Sequence, residues 1–250
     1  MRTIIYFTAI VGVAVSAGAF ADTTLVYNAA SDPFTIRIRA GEIRIDDSSD
    51  SWQLYRRADN AVYAVHPGSD SYTRMDADSA GRIRAQMDAL RATMEKRLQT
   101  LPVQQRKIAR AALAQQIPSI EADAQITVQT TDNTEIVAGH PCRVVRVLHD
   151  GKPEKSLCLA KPADLGLSAA EFATVTDMYA LMQTMLAGTG LSYVGLPNLK
   201  LDGMPIRYQD TLGNQRRTLS RVLHEGLSDR VFQIPPSYKP RVAQSSAGAN

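Results

Sequence analysis

Two short segments near the start of the chain alternate apolar and polar residues with a period of two. They are Phe34–Arg39 and Glu42–Asp46, joined by two residues of which the second is Gly41. This alternation is typical of antiparallel strands with one buried and one solvated face. A tight turn between them places Arg39 opposite Glu42, so charge and apolarity favour the same register. The chain is therefore predicted to contain a sheet with one buried face and one solvent-exposed face.

The same alternation continues after this hairpin and returns in the second half of the chain. Further strands are predicted at residues 52–57, 61–66, 71–75, 125–130, on both arms of a hairpin around 149–151, and at 204–209 and 216–223. One face of the strands between 52 and 75 is expected to be core. Its members are Leu54, Tyr63, Val65 and Tyr72. Residues 231–238 are expected to dock the end of the chain.

The two cysteines lie on the arms of the hairpin around residues 149–151. A three-residue loop pairs Leu148 with Lys152, and the same register carried outward places Cys142 opposite Cys158. Cross-strand Cβ atoms lie about 4.5–5.5 Å apart, and an oxidising compartment favours a disulfide. A redox-active pair is the alternative, but the sequence lacks the two-residue spacing and helix N-terminus that lower a thiol pKa.

The N-terminus has the pattern of a secretory signal peptide. Met1 and Arg2 precede an uncharged apolar run, and small residues surround Phe20 just before Asp22. We expect cleavage between Ala21 and Asp22, so that residues 1–21 are the signal peptide and the mature protein is periplasmic. An uncleaved anchor is the alternative, because the uncharged stretch nearly reaches the length that spans a bilayer. No transmembrane helix is expected after cleavage.

Between residues 79 and 117 the apolar spacing changes to three or four residues, which predicts helices that Pro102 divides into two. Cations gather on one face of this stretch. They are Arg82, Arg84, Arg91, Lys96, Arg97, Arg106, Lys107 and Arg110. A solvated helix surface is one interpretation, and contact with an acidic protein partner or anionic lipid headgroups is the other.

A capping box at Ser168 and Glu171 begins another helix, predicted over residues 169–187. Its apolar side is wide and rich in methionine, whose unbranched side chains repack around irregular ligands. This helix is either buried in the core or lines an apolar cavity. On the second interpretation the ligand-binding residues are Phe172, Val175, Met178, Tyr179, Met182, Met185 and Leu186, with Met87, Leu90 and Met94 from the first helix.

The order of these elements predicts a single α+β domain over residues 22–242 and a disordered tail at 243–250. About ten strands form a strongly curved antiparallel sheet closed by helices. The 250 residues, 44% of them hydrophobic, suffice for one core. The formal net charge of +3 gives no argument for nucleic acid.

The sequence lacks the spaced motifs of common catalytic and nucleotide-binding sites. Its histidines lie apart in predicted turns or strand ends, without the spacing of metal ligands. They are His66, His140, His149 and His224. We therefore expect no enzyme activity, no cofactor and no metal, with a hydrolase of envelope components as a minor alternative.

Five short motifs are distinctive: YRRADNAVYAVHP at 55–67, SYTRM at 71–75, AGHPC at 138–142, LCLA at 157–160 and VFQIP at 231–235. They resemble an uncharacterised family of exported bacterial proteins whose fold is similar to the LolA/LolB-type outer-membrane lipoprotein carriers. The resemblance implies a half-open β-barrel closed by helices, with an apolar concavity that receives acyl chains.

We therefore expect a non-enzymatic periplasmic module that binds an apolar or amphipathic ligand, such as an acyl chain, a lipid or a lipoprotein. The alternative is an envelope protein-interaction or stress-response module that docks an acidic partner through the basic helical face.

Overall fold

The computed structural model describes residues 21–29, 34–47, 50–116, 126–149, 151–186, 202–210 and 216–241. Within these ranges the chain forms twelve strands and three α-helices. The strands are β1 (Asp22–Ala29), β2 (Phe34–Arg39), β3 (Glu42–Asp46), β4 (Trp52–Arg56), β5 (Ala61–His66), β6 (Ser71–Met75), β7 (Ile126–Val137), β8 (His140–His149), β9 (Lys152–Ala160), β10 (Met204–Asp210), β11 (Arg216–Glu225) and β12 (Lys239–Arg241). The helices are α1 (Ala77–Gln99), α2 (Val103–Gln116) and α3 (Ala169–Leu186). The predicted tail and residues 1–20 of the predicted signal peptide lie outside the described ranges.

All twelve strands belong to one open, curved sheet, in the order β12-β6-β5-β4-β3-β2-β1-β11-β10-β9-β8-β7. β1 pairs with β2 on one side and β11 on the other, so the first strand joins the two halves of the chain. The α+β class and the curved sheet are confirmed. The prediction of about ten antiparallel strands was wrong in detail, because β1 and β12 were not expected and β12 runs parallel to β6.

The main core lies between α3 and one face of the sheet, called here the inner face. Ile38 and Ile43 are cross-strand neighbours on this face and are fully buried, and the predicted register of β2 and β3 is confirmed. From α3, Val175 and Met182 are buried against the same core. The apolar alternation of the strands therefore decides which face of the sheet receives the helix.

The capping box that begins α3 is also confirmed. The backbone N–H of Ser168 donates to Oε2 of Glu171 over 2.8 Å, and the backbone N–H of Glu171 donates to Oγ of Ser168 over 3.2 Å. These reciprocal bonds satisfy backbone donors that the first turn of a helix otherwise leaves without partners.

A second, smaller core lies on the opposite, outer face of the sheet. The predicted shared face of β4, β5 and β6 is confirmed, with Leu54 opposite Tyr63 and Val65 opposite Tyr72. Leu54 and Val65 are fully buried, whereas the two tyrosines are half-buried. This face does not contact α3. It is covered instead by the end of the chain, whose Phe232 is fully buried against it.

Arginines of the outer face bind the covering segment through its backbone. Arg44 donates to the carbonyl of Val231 over 3.0 Å, and Arg56 donates to the carbonyl of Phe232 over 2.9 Å. The guanidinium of Arg39 lies 4.2 Å from the centre of the Phe232 ring. The predicted docking of residues 231–238 is therefore confirmed. Arginine side chains on the outer face of the sheet hold this segment in place.

Cys142 and Cys158 form the predicted disulfide, but the predicted strand register was wrong. His149 pairs with Lys152, so two residues rather than three connect the strands, and a bulge follows between Val147 and Leu148. Cys142 consequently lies opposite Ala160, and Cys158 lies opposite Val144. The two cysteines are diagonal neighbours on one face, with their Cα atoms 5.3 Å apart, a separation that suits a disulfide.

Candidate functional site

An apolar cavity of about 40 Å³ lies between α3 and the inner face of the sheet. Its lining residues are Tyr27, Phe34, Ile36, Ile43, Ile45, Val175, Met178, Tyr179, Met204, Pro205, Tyr208 and Arg217. A cavity of this size holds only a few atoms. Most of the space between sheet and helix is therefore filled by side chains, and a long ligand enters only if some of them move.

The strand register accounts for the apolar wall of the cavity. Ile36 lies opposite Ile45, and Tyr27 lies opposite Phe34. The rings of Tyr27 and Phe34 meet edge to face, with 5.5 Å between their centres. Because alternate residues of a strand point to the same side, β1, β2 and β3 present a continuous apolar surface to α3.

The Tyr27 hydroxyl closes one side of the cavity. It donates a hydrogen bond to the backbone carbonyl of Pro205 over 3.0 Å. Burial raises the pKa of Tyr27 above its ordinary value, so the phenol stays neutral at physiological pH. Tyr27 therefore connects β1 to β10 without introducing a charge into the apolar wall.

Arg217 is the charged residue of the cavity lining. Its guanidinium lies 4.4 Å from the centre of the Phe34 ring, and the residue is half-buried. It lies opposite Tyr208 on β10, whose pKa is raised chiefly by burial. Among the described residues no carboxylate forms an ion pair with Arg217. The cavity thus combines an apolar interior with one cation that is not neutralised by a described acidic side chain.

The structure brings part of the predicted ligand-binding set to this cavity. Val175, Met178 and Tyr179 line it. The other predicted residues of α3 whose side chains are described, Phe172, Met182 and Met185, pack in the main core beside it. The side chain of Leu186 lies outside the described part of the structure.

The predicted ligand-binding residues of α1 whose side chains are described do not line this cavity. Leu90 is 39% exposed and Met94 is half-buried, and neither lines the cavity. The side chain of Met87 lies outside the described residues. The spacing of these residues correctly indicates a helix, but the side of α1 that contacts the rest of the protein is governed by its packing on α3.

The sequence predicted that the inner side of the sheet contacts the ligand, but it did not identify the individual strand residues of the lining. The alternation of Ile36, Ile43 and Ile45 already indicated an inner face and was the available signal. Arg217 follows Arg216 directly, and no local pattern shows which of two adjacent arginines faces the core. Tyr27 belongs to β1, which begins at the predicted cleavage site and was not recognised as a strand.

The basic residues predicted for partner contact divide into two groups. Four make contacts within the protein: Arg84 with the Thr184 carbonyl, Arg91 with Asp88, Arg106 with carbonyls at the end of α1, and Arg110 with Glu95. The other four are exposed: Arg82, Lys96, Arg97 and Lys107. About half of the predicted basic face therefore serves the fold.

Among the described residues, no group of three or more histidine, cysteine or acidic side chains could hold a metal ion. None of the helices among the described residues is long and apolar enough to cross a membrane.

Comparisons with known proteins leave the family of this chain open. No family model matches it, and no curated protein matches it. Among solved structures, it is similar to a chain described as "Structure of PNGF-II in C2 space group", with a TM-score of 0.43 and 8% sequence identity. The match covers 89% of this chain and 31% of that one, so this chain spans less than a third of its length. A likeness this weak carries no argument about function.

Proposed function

We propose that this protein is a non-enzymatic, periplasmic binding module for an amphipathic ligand with an acyl chain and an anionic head group. The cavity between α3 and the sheet supports this proposal, because it joins an apolar interior to the guanidinium of Arg217. In this proposal the fold is of the half-open LolA/LolB type that the sequence motifs resemble.

The apolar wall would hold the chain of the ligand. Each buried methylene contributes about 0.8 kcal/mol, so even a short length of acyl chain gives useful affinity without any catalytic group. Because the cavity of about 40 Å³ is smaller than a long chain, binding requires the wall to adapt. Met178 lines the cavity and belongs to the residue type that repacks most easily.

Arg217 would bind the head group. A guanidinium donates two parallel hydrogen bonds to a carboxylate or phosphate, and such charge-assisted bonds are about twice as strong as neutral ones. The Phe34 ring lies against the same guanidinium and fixes its position. A neutral apolar ligand would use the wall but not this residue, which distinguishes an amphiphile from a simple hydrocarbon.

Titration of the purified protein with a fluorescent fatty acid tests the proposal. We expect saturable binding, a loss of at least tenfold in affinity for Met178→Trp, which fills the cavity, and no change for the matched control Leu90→Trp. Arg217→Gln should weaken binding of the fatty acid but not of the corresponding fatty alcohol. Circular dichroism of each variant checks that it folds. Absence of saturable binding by the unaltered protein would overturn the proposal.

A further inference from the structure

The connection between α1 and α2 exposes two large apolar side chains. Val103 is 77% exposed and Ile108 is 72% exposed, although both belong to the first six residues of α2. In the described part of the chain only three other large apolar residues are classed as exposed, and they lie on α1, β7 and β11. Val103 and Ile108 lie five residues apart on α2, about 140° around the helix axis, so they border one side of the helix.

Exposed cations lie on both helices, close in sequence to this connection. Lys96 and Arg97 lie in the last turn of α1, and Lys107 lies next to Ile108 on α2. All three are exposed, and none forms an ion pair with a described residue. The nearest acidic residue in sequence, Glu95, is occupied by Arg110, both of whose bonds to it measure 2.7 Å. The two apolar residues and three cations are called here the helical tip.

The helical tip is held in a fixed conformation. Arg106 donates to the carbonyls of Leu98, Gln99 and Leu101, each over 3.1 Å. Leu98 is buried and anchors the end of α1. Arg106 thereby connects the start of α2 to the end of α1, and Val103, Lys107 and Ile108 are exposed on α2. The tip is therefore preorganised and loses little conformational freedom on binding.

We propose that the helical tip docks onto the surface of an anionic lipid bilayer. Interfacial helices place apolar side chains about 5–10 Å into the boundary between headgroups and acyl chains, with cations at headgroup level. Val103 and Ile108 supply the first element, and Lys96, Arg97 and Lys107 supply the second. Each cation near an anionic surface strengthens binding about fivefold, so the three together contribute roughly a hundredfold.

The apolar residues favour a bilayer over an acidic protein. Ion pairs with an acidic surface require only the cations, and they leave Val103 and Ile108 in water. A bilayer surface accepts both kinds of side chain at the same time, because headgroups and acyl chains are adjacent there. This docking does not depend on the cavity beneath α3, so it can be tested separately from ligand binding.

Vesicle flotation with the purified protein tests the docking. Vesicles of phosphatidylcholine are compared with vesicles containing about one third phosphatidylglycerol. We expect binding to the anionic vesicles only, reduced about a hundredfold in a variant with Lys96→Gln, Arg97→Gln and Lys107→Gln. A control variant with Lys152→Gln, Arg221→Gln and Lys239→Gln removes three exposed cations elsewhere and should bind normally. Equal loss in both triple variants would overturn the proposal.

The apolar residues are tested in the same assay. Val103→Ser together with Ile108→Ser should reduce vesicle binding at least tenfold. An environment-sensitive dye on Ile108→Cys should shift its emission to the blue with anionic vesicles, whereas the same dye on Ile136→Cys, at an exposed position of β7, should not. If the serine variant binds the vesicles as well as the unaltered protein, Val103 and Ile108 do not enter the bilayer and the proposal is overturned.

Discussion

Thr23 and Glu171 are joined by a hydrogen bond across 148 positions of sequence, in which the backbone N–H of Thr23 donates to Oε1 over 3.0 Å. The other carboxylate oxygen, Oε2, accepts from the backbone N–H and the hydroxyl of Ser168, both at 2.8 Å. Glu171 is only 4% exposed. One buried carboxylate therefore fixes the start of α3 to the start of β1, and with it the helix that covers the cavity.

Glu171→Gln should destabilise the protein by about 2 kcal/mol. The amide nitrogen of glutamine cannot accept hydrogen bonds, so at least one of the donors on Thr23 and Ser168 is left buried without an acceptor. Urea unfolding followed by circular dichroism measures the loss. Glu225→Gln, at an exposed position of β11, removes the same charge and should change stability by less than about 0.5 kcal/mol. Equal stability of the two variants would contradict the role given to Glu171.

Reduction of the Cys142–Cys158 disulfide should lower the free energy of unfolding. The cysteines are 16 positions apart, and the loop-entropy model gives about 3 kcal/mol for a loop of this length. The strands already restrict this loop, so the measured loss should be smaller. Unfolding of the Cys142→Ser, Cys158→Ser double variant, compared with the unreduced protein, provides the measurement. Titration of the unfolded, unreduced protein should find no free thiol; two free thiols would refute the disulfide.

The disulfide also shows which features of a hairpin local sequence patterns predict and which they do not. The predicted register was displaced by two residues, because the turn is one residue shorter and a bulge adds another. Side chains alternate faces with a period of two, so a displacement of two leaves Cys142 and Cys158 on the same face. The correct pairing was therefore predicted from an incorrect register. Bulges of this kind have no signal in the alternation of apolar residues.

The set of residues that line the cavity could not be predicted from local sequence patterns, for a different reason. Its residues come from β1, β2, β3, β10, β11 and α3, and β10 and β11 lie beside the first three strands because β1 pairs with β11. The alternation predicts that Ile36 and Ile43 face a core, and the capping box predicts where α3 begins. Neither pattern specifies that Tyr27 and Arg217 face the same helix. Long-range strand pairing, rather than local periodicity, assembles the candidate site.

The capping box of α1 predicts a specific response to acid. Asp76 accepts hydrogen bonds from the backbone N–H and hydroxyl of Ser79, and the backbone bond is the main reason why the pKa of Asp76 is lowered. The carboxylate therefore stabilises the fold above its unfolded pKa of about 3.9. This contribution is lost as the pH falls through the lower folded value.

Asp76→Asn keeps an acceptor for the cap but cannot titrate. The unaltered protein should consequently be more stable than the Asp76→Asn variant at pH 7, and this difference should shrink as the pH falls below 4. Asp76→Ala should lower the free energy of unfolding by about 1 kcal/mol at neutral pH. Urea unfolding at several pH values measures both effects. Asp78→Asn is the matched control, since Asp78 is exposed in the same first turn. A difference that does not change between pH 7 and pH 3 would show that the charge of Asp76 does not stabilise the cap.

Phe232→Ala tests whether the covering segment is part of the folded core. Phe232 is fully buried against Leu54 and Val65, and Arg39 lies over its ring. Truncation of a buried phenylalanine costs about 3–5 kcal/mol. Trp52 is the only tryptophan of the chain and is 8% exposed in the same cluster, so its fluorescence reports on this face.

We expect the Phe232→Ala variant to unfold at lower urea concentration and its tryptophan emission to shift to the red as water reaches Trp52. Ile136→Ala, at a position 77% exposed on β7, should change neither property. If the Phe232 variant keeps both its stability and its emission, the segment lies on the sheet without stabilising it. The arginine contacts at Val231 and Phe232 would then hold a covering segment that the fold does not require.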